Sequence, residues 1–516
     1  MSEAPIFDLL VIGGGINGAG IARDAAGRGL SVLLAEKGDL GEGTSSRSGK
    51  LVHGGLRYLE YYEFRLVREA LREREVLLRA APHIIWPMRF VLPHSPEQRP
   101  AWMIRLGLFL YDHLGGRESL PGCRRLDLRT APEGRPIRDD YRLAFEYSDC
   151  WVDDARLVVL NALDAHERGA VIRTRTEVTA ARREGEHWLV TLKDAGSGRG
   201  EMGRGDTGHA GGGRGEAVRA RMLVNAAGPW VEDVLGRVSG INAGRRVRLV
   251  KGSHIVTRKF WDGPQAYLFQ NIDGRVIFVN PYEDGLALIG TTDIPYDGRP
   301  EDVAADADEI AYLLDAVNRY TNVRLTSADV THTFGGVRPL YDDNAASPSA
   351  VTRDYVFDID GGQDRPPLLS VFGGKITTYR RLAEHALERL RPFAPGLGPA
   401  WTAGSHLPGG DMPNADFSSF LNGFQRNHPW LPAPLARHYA RLYGTRAGRL
   451  LDGARSIADL GQHFGGTLYE REVAYLRAWE WARRAEDVLE RRTKHGLHLG
   501  ASARTALAEQ VMAGAP

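Results

Sequence analysis

At 516 residues the chain is too long for one ordinary domain, and 43% hydrophobic with 25% charged residues is the composition of a soluble globular protein. Sixty-six Lys and Arg against 65 Asp and Glu leave a formal charge of +1, which argues against nucleic acid as a partner. Two cysteines, Cys123 and Cys150, offer neither a disulfide framework nor a multi-cysteine metal site, so a reducing compartment and no metal are expected.

The opening residues 1–10 lack a basic segment before an apolar core and run straight into a strand, so no secretion signal is expected. The apolar stretches at 80–92 and 104–114 are broken by Pro, Arg or Asp and are too short to span a bilayer.

From Phe7 to Leu40 the chain reads strand, glycine turn, helix, strand. Leu9 to Ile12 is a continuous apolar run, as in a strand buried on both faces. Gly13, Gly15 and Gly18 follow in G-x-G-x-x-G spacing: a tight turn, a close backbone approach for a pyrophosphate, and close helix–strand packing. The helix N-terminus adds free N–H groups and partial positive charge. A second strand, Ser31 to Ala35, ends at Glu36, where a carboxylate suits ribose hydroxyls and opposes the 2′-phosphate of NADP.

Two later segments select FAD over NAD. A strand from Met222 to Ala226 leads into Ala227-Gly228-Pro229-Trp230 and a helix, and Gly228 suits backbone brought against a cofactor. The segment Pro366–Leu390 reads strand, Gly373-Gly374-Lys375, then a long helix that Thr377 or Thr378 could cap. A helix N-terminus with a lysine suits a flavin, whose reduction places negative charge at the N1/C2=O edge.

Between these segments, three β-rich runs from Gln265 to Asp293 are separated by Asp273-Gly274 and Asp284-Gly285, which are hairpin signals. An antiparallel sheet roofing the cofactor is expected. Arg57, His53, His254, Arg338 and Lys375 form a cationic set suited to an anionic substrate such as a phosphate ester, since arginine offers a bidentate fork to phosphate oxygens. Gly-Gly pairs precede both Arg57 and Arg338.

The segments "SSRSGKLVHGGLRYLEYYEF", "EYSDCWVDDARLV", "KGSHIV", "IGTTD", "GVRPL", "TRDY" and "VFGGKITTYRRLAEHALERL", in this order across nearly the whole chain, resemble the aerobic, FAD-dependent glycerol-3-phosphate dehydrogenases. The resemblance implies an α/β fold: a Rossmann-like FAD domain of D-amino-acid-oxidase/glutathione-reductase type, an antiparallel-sheet substrate cap and a helical C-terminal domain. It divides the chain into FAD-binding parts 1–80, 151–235 and 341–392, cap parts 81–150 and 236–340, and a C-terminal domain 393–516. It implies oxidation of sn-glycerol 3-phosphate to dihydroxyacetone phosphate, transfer of electrons to membrane quinone, a homodimer, and a cytoplasmic protein held peripherally at the membrane.

By motif, Arg57 and Arg338 would hold phosphate or orient substrate, with Tyr58 assisting and Arg353 as a further contact. Lys375 would lie beside the flavin, and His53 and His254 are rival bases for the C2 hydroxyl. Cofactor contacts would fall on Gly13, Gly15, Ile16, Asn17, Gly18, Glu36, Lys37, Thr44, Ser45, Ser46, Ser48, Val178, Ala227, Gly228, Gly373, Gly374, Lys375 and Thr377. Gly49 departs from the serine the resemblance implies before Lys50, which removes one hydroxyl contact there.

Asp194 to Glu216 is glycine-rich with no helix after it, the composition of a solvated insertion. Tyr61 to Arg79 carries the apolar spacing of one buried helical face. Beyond Pro395, prolines and glycines give way to helical patterns whose tryptophans pack a core or meet lipid.

Overall fold

The computed structural model describes residues 5–95, 97–116, 118–194, 215–238, 241, 246–341, 354–362 and 364–513. Arg353 and residues 195–214 of the glycine-rich stretch lie outside the described residues.

Strands are numbered in chain order and fall into two large sheets. The first holds β1 (Ile6–Ile12), β2 (Val32–Ala35), β7 (Val171–Arg173), β8 (Thr176–Glu184), β9 (His187–Asp194), β10 (Glu216–Asn225), β17 (Val356–Gly362) and β18 (Arg365–Phe372). Its order is β17-β18-β10-β1-β2-β7, parallel from β18 to β7, with the β8–β9 hairpin branching antiparallel from β10. Helices α1 (Ile16–Gly27), α4 (Asp154–Glu167) and α7 (Tyr379–Leu390) pack together over it. The apolar run at Leu9–Ile12 is buried on both faces, as its lack of alternation requires.

The second sheet holds β3 (Leu51–Val52), β4 (Ile85–His94), β5 (Arg124–Asp127), β6 (Leu143–Val152), β11 (Val247–Arg258), β12 (Ala266–Gln270), β13 (Val276–Tyr282), β14 (Leu286–Gly290), β15 (Ile294–Pro295) and β16 (Val330–Tyr341). It is antiparallel except where β12 meets β4. The two Asp-Gly pairs sit in the turns joining β12 to β13 and β13 to β14. One face packs Ile255, Ile277, Val279 and Ile289 against α6 (Ala307–Tyr320). The other face looks toward the first sheet's cofactor end. The short β3 lies within 1–80 yet pairs with β6, so the coil leading into it bridges the two layers.

Helix α2 (Phe64–Ala80) starts after a 3-10 turn, Leu56–Tyr61, three residues later than the apolar spacing suggests. It is followed by α3 (Ala101–Leu114), and α5 is Val231–Arg237. From Phe417 to Ala513 the chain is mainly helical around its own core. Buried ion pairs fasten this region to the first domain: Asp39 with Arg491 (2.6 Å) and Arg492, Arg156 with Glu480, and Lys494 with Asp153 (2.5 Å).

Candidate active site

The glycine turn after β1 shows why three of its glycines are needed for different reasons. Gly13 has φ +107°, and a Cβ there would lie 2.6 Å from the Ala226 carbonyl oxygen. A Cβ on Gly18 would lie 1.9 Å from the Gly13 carbonyl oxygen, so helix and turn pack through bare backbone. At Gly15 only Ser45 Oγ comes within 4 Å, which leaves the backbone open to a ligand.

Distant segments converge on the first turn of α1. The Ile16 N–H donates to Ser45 Oγ at 2.9 Å, and Asn17 Nδ2 donates to the Gly373 carbonyl at 3.1 Å. Glu36 accepts from the Gly14 and Gly38 N–H groups, each at 2.6 Å, so the acid after β2 braces the turn itself. Gly374, at φ +104°, would place a Cβ 2.9 Å from Asn17 Nδ2. Gly228, at φ +58°, has open space where a side chain would be.

FAD fits these groups. Bare glycine backbone and a helix N-terminus suit a pyrophosphate, and Asn17 Oδ1 is buried without a donor, as an acceptor awaiting a ligand hydroxyl or N–H would be. Gly13–Gly18, Glu36, Ser45, Gly228 and Gly373–Gly374 are the residues that would hold it.

Other expected cofactor residues are committed elsewhere or lie near. Lys37 pairs with Glu301 at 2.9 Å and covers the Trp230 ring, tying the cap to the first domain. Thr44 Oγ1 donates to the Val337 carbonyl of β16 at 2.7 Å. The Ser46 carbonyl accepts from Lys50 Nζ, and the Ser48 hydroxyl donates to Asp154 at 2.7 Å. Val178 is a core side chain of β8. The Ala227 N–H donates to Asn225 Oδ1. Neither Thr377 nor Thr378 caps α7 with its side chain: Ile376–Thr378 form a 3-10 turn ahead of it, and Thr377 Oγ1 instead accepts the His53 N–H at 3.2 Å.

One wall of the candidate site is built by register in the second sheet. Phe278 lies opposite Gly290, Gly290 opposite His254, and His254 opposite Phe334, and residues paired directly across strands share a face. Two residues along, Gly252 lies opposite Gly336, and next Val250 opposite Arg338. The result is a glycine floor. A Cβ on Gly290 would meet the His254 ring at 2.2 Å, one on Gly336 would meet Arg47 Cβ at 2.6 Å, and one on Gly252 would come 3.1 Å from Arg338 Nη2. Bare backbone at these positions is what makes room for His254, Arg47 and Arg338.

The coil 44–50 covers that floor, held by the Thr44 bond to Val337 and by Asn280 Nδ2, which donates to the Gly49 carbonyl at 3.3 Å. His254 stacks on Phe334 with ring centroids 4.9 Å apart, and His53 meets Phe278 edge-on at 6.1 Å. Burial, then the charges of Lys50 and Arg338, push the His254 imidazole down to about 3, so it is neutral. Arg338 donates to the Thr292 carbonyl (3.0 Å) and to Asp293 (3.1 Å), which fix its guanidinium above Gly252. Arg57 is half-buried, and its Nε has no hydrogen-bond partner. Tyr58, beside it on the same 3-10 turn, lies under Lys375 Nζ at 4.0 Å.

Sequence reasoning did not single out Arg47, Asn280, Phe334, Gly252 or Gly290, and it noted Gly336 only as part of the pair before Arg338. Gly252, Gly290 and Gly336 sit on three strands, and only the cross-strand register makes them one surface. Among the described residues no group of His, Cys, Asp and Glu is placed to hold a metal ion.

Residues 8–380 match the family described as FAD dependent oxidoreductase, and residues 400–514 match the C-terminal domain of alpha-glycerophosphate oxidase. The chain is 61% identical over 511 residues to D-erythritol 1-phosphate dehydrogenase of Brucella abortus, covering 99% of this chain and 98% of that protein. It is 52% identical over 494 residues to aerobic glycerol-3-phosphate dehydrogenase of Escherichia coli, covering 96% and 95%. Its fold is similar to that of glycerol-3-phosphate dehydrogenase from Bacillus halodurans complexed with FAD, with a TM-score of 0.75 and 27% identity over 99% of this chain and 95% of that one. The chain therefore belongs to the FAD-dependent oxidoreductases, in the family of the FAD-dependent glycerol-3-phosphate dehydrogenases, and its cofactor is FAD.

Proposed function

We propose that the protein oxidises the secondary alcohol beside the phosphate-bearing carbon of a polyol phosphate, sn-glycerol 3-phosphate giving dihydroxyacetone phosphate, and passes the electrons to membrane quinone. The observation that carries this is the glycine floor with His254 and Arg338 facing the coil that reaches the FAD cradle.

FAD, when bound, supplies the hydride acceptor. Arg57 and Lys375 hold the phosphate, and Arg338, fixed by Asp293, orients the substrate. The hydroxyl proton passes to a histidine as the C–H bond breaks, leaving a ketone. His254 is favoured over His53 on position alone: its Nε2 faces the open side of Gly49, on the coil that covers the glycine floor. Arg353 is retained as a further substrate contact.

The quinone reading draws support from the surface. Trp102 (65% exposed), Leu106 and Phe109 form one face of α3, which packs against the 3-10 turn carrying Arg57 and Tyr58, and Tyr62 at that turn's end is 79% exposed. Such a contiguous aromatic and aliphatic surface suits a membrane interface. No described helix is long and apolar enough to cross a membrane. A homodimer and a cytoplasmic position against the membrane complete the proposal.

A second reading takes D-erythritol 1-phosphate, one CHOH unit longer, as the substrate. The 61% identity to a protein of that name favours it.

Anaerobic addition of sn-glycerol 3-phosphate to the yellow holoenzyme tests the proposal. Rapid bleaching, reversed by a ubiquinone analogue and only slowly by air, is expected. A flavin that neither polyol phosphate bleaches would overturn it.

A further inference from the structure

We infer that Gly49 opens a subsite beside His254 for the terminal carbon of a four-carbon polyol phosphate, so that substrate chain length is selected there. This rests on the polyol-phosphate reading of the site.

Gly49 differs from the glycines around it. At Gly13, Gly18, Gly252, Gly290 and Gly336 an added Cβ would come within 3.0 Å of a neighbour. At Gly49 the single atom within 4 Å of that position is His254 Nε2, at 3.6 Å, an ordinary contact distance. Its φ is not in the left-handed region either. Neither backbone geometry nor close packing requires glycine here. What its missing side chain leaves is room against the ring nitrogen that faces the substrate.

An unsatisfied polar group stands against the Gly49 backbone beside this room. Asn280 is 1% exposed, and Nδ2 donates to the Gly49 carbonyl, which fixes the amide's orientation and leaves Oδ1 buried with no donor. A buried acceptor without a partner is unfavourable, so a ligand hydroxyl that donates to it is favoured. A three-carbon substrate ends in one CH2OH beyond the reacting carbon. A four-carbon substrate adds one carbon and one hydroxyl, and these match the space at Gly49 and the acceptor at Asn280. The bond changes at the reacting carbon are the same for both.

The test is anaerobic stopped-flow flavin reduction with sn-glycerol 3-phosphate and D-erythritol 1-phosphate, alongside FAD content and substrate Kd from flavin perturbation. The wild-type protein should favour the four-carbon substrate. Gly49→Ser should lower the four-carbon to three-carbon ratio of kcat/KM by roughly 10- to 200-fold, the cost of crowding one carbon out of a pocket. Asn280→Ala should lower the same ratio and weaken Kd for the four-carbon substrate selectively. If Gly49→Ser loses FAD, Gly49→Ala, which adds one methyl at contact distance, gives the same comparison. Equal changes for both substrates, or an unmoved ratio, would overturn the inference while leaving the polyol-phosphate reading intact. Bleaching by neither substrate would overturn both.

Discussion

Lys375 Nζ lies 4.0 Å from the centroid of the Tyr58 ring, and among the described residues it has no carboxylate partner. The π face holds the ammonium without neutralising it, so its charge remains available to an anion. Thr377, two residues on, accepts the His53 N–H, so the lysine turn and the histidine–arginine coil are fastened together. Lys375→Met should therefore reduce the second-order rate of flavin bleaching by roughly 100- to 1,000-fold, as loss of one preorganised donor does. Tyr58→Leu should cost about 3- to 30-fold and Tyr58→Phe far less, since only the ring is needed. Equal losses in the two tyrosine variants would instead assign the effect to the hydroxyl.

Arg57 carries a buried Nε with no acceptor, which is the state of a donor whose partner is a ligand. Arg57→Ala should raise the KM for substrate roughly 10- to 150-fold while the 450-nm flavin band stays intact, from about 1.5–3 kcal/mol for a charge-assisted bond. Arg57→Lys should recover little, because an ammonium lacks the bidentate fork. Loss of FAD with unaltered kinetics in the remaining holoenzyme would place Arg57 in the cofactor cradle.

The cofactor half of the molecule was legible because its signals are local. Leu9–Ile12 lacks alternation, the glycines follow at fixed spacing, and the acid closes the second strand, all within 31 residues of chain from Phe7 to Lys37. The Asp-Gly hairpins were legible for the same reason. The glycine floor was not, since Gly252 and Gly290 carry no local signal, and Gly336, noticed only as part of the pair before Arg338, joins them through pairing between strands distant in sequence. The sequence places Ser48 and Lys37 at the cofactor without indicating the long-range partners, Asp154 and Glu301, that engage their side chains. No pattern around either residue announces a partner over 100 residues away.

Three buried histidines weaken the fold as pH falls. Burial pushes His83 and His254 down to about 3 and His495 to about 2, against 6.5 for an ordinary histidine. Nearby charges act in the same direction: Arg156 and Arg441 on His83, Lys50 and Arg338 on His254. The unfolded chain then binds these protons first as pH falls, so the stability they represent is whole above about 6.5 and is lost progressively toward 3. Each fully titrating histidine contributes a slope of about 1.4 kcal/mol per pH unit. Thermal melts should show Tm falling from pH 7 to pH 5, and His83→Gln should flatten that fall. A Tm independent of pH across this range would mean that these rings accept protons in the folded state.

Lys50 and Asp154 are the polar anchor of the coil that covers the glycine floor. They pair at 2.8 Å, both are almost wholly buried, and the Ser48 hydroxyl donates to the same carboxylate. Lys50 also holds φ +57°, a conformation that costs a non-glycine residue energy and persists only where surroundings enforce it. Burial lowers the lysine's proton affinity and Asp154 restores part of it, so removing the acid strands a desolvated ammonium. Asp154→Ala should cost about 3–5 kcal/mol in urea unfolding of the holoenzyme. The double variant Lys50→Met/Asp154→Ala should cost less than the two single changes summed, with a coupling energy of about 0.5–3 kcal/mol. Because the same coil carries Ser45, which receives the Ile16 N–H at the FAD cradle, Asp154→Ala should also weaken FAD retention on gel filtration, and the double variant should regain part of it. Additive losses in the cycle would show that the coil is held by the Asn280–Gly49 and Thr44–Val337 hydrogen bonds, with the ion pair contributing only to packing between α4 and the coil.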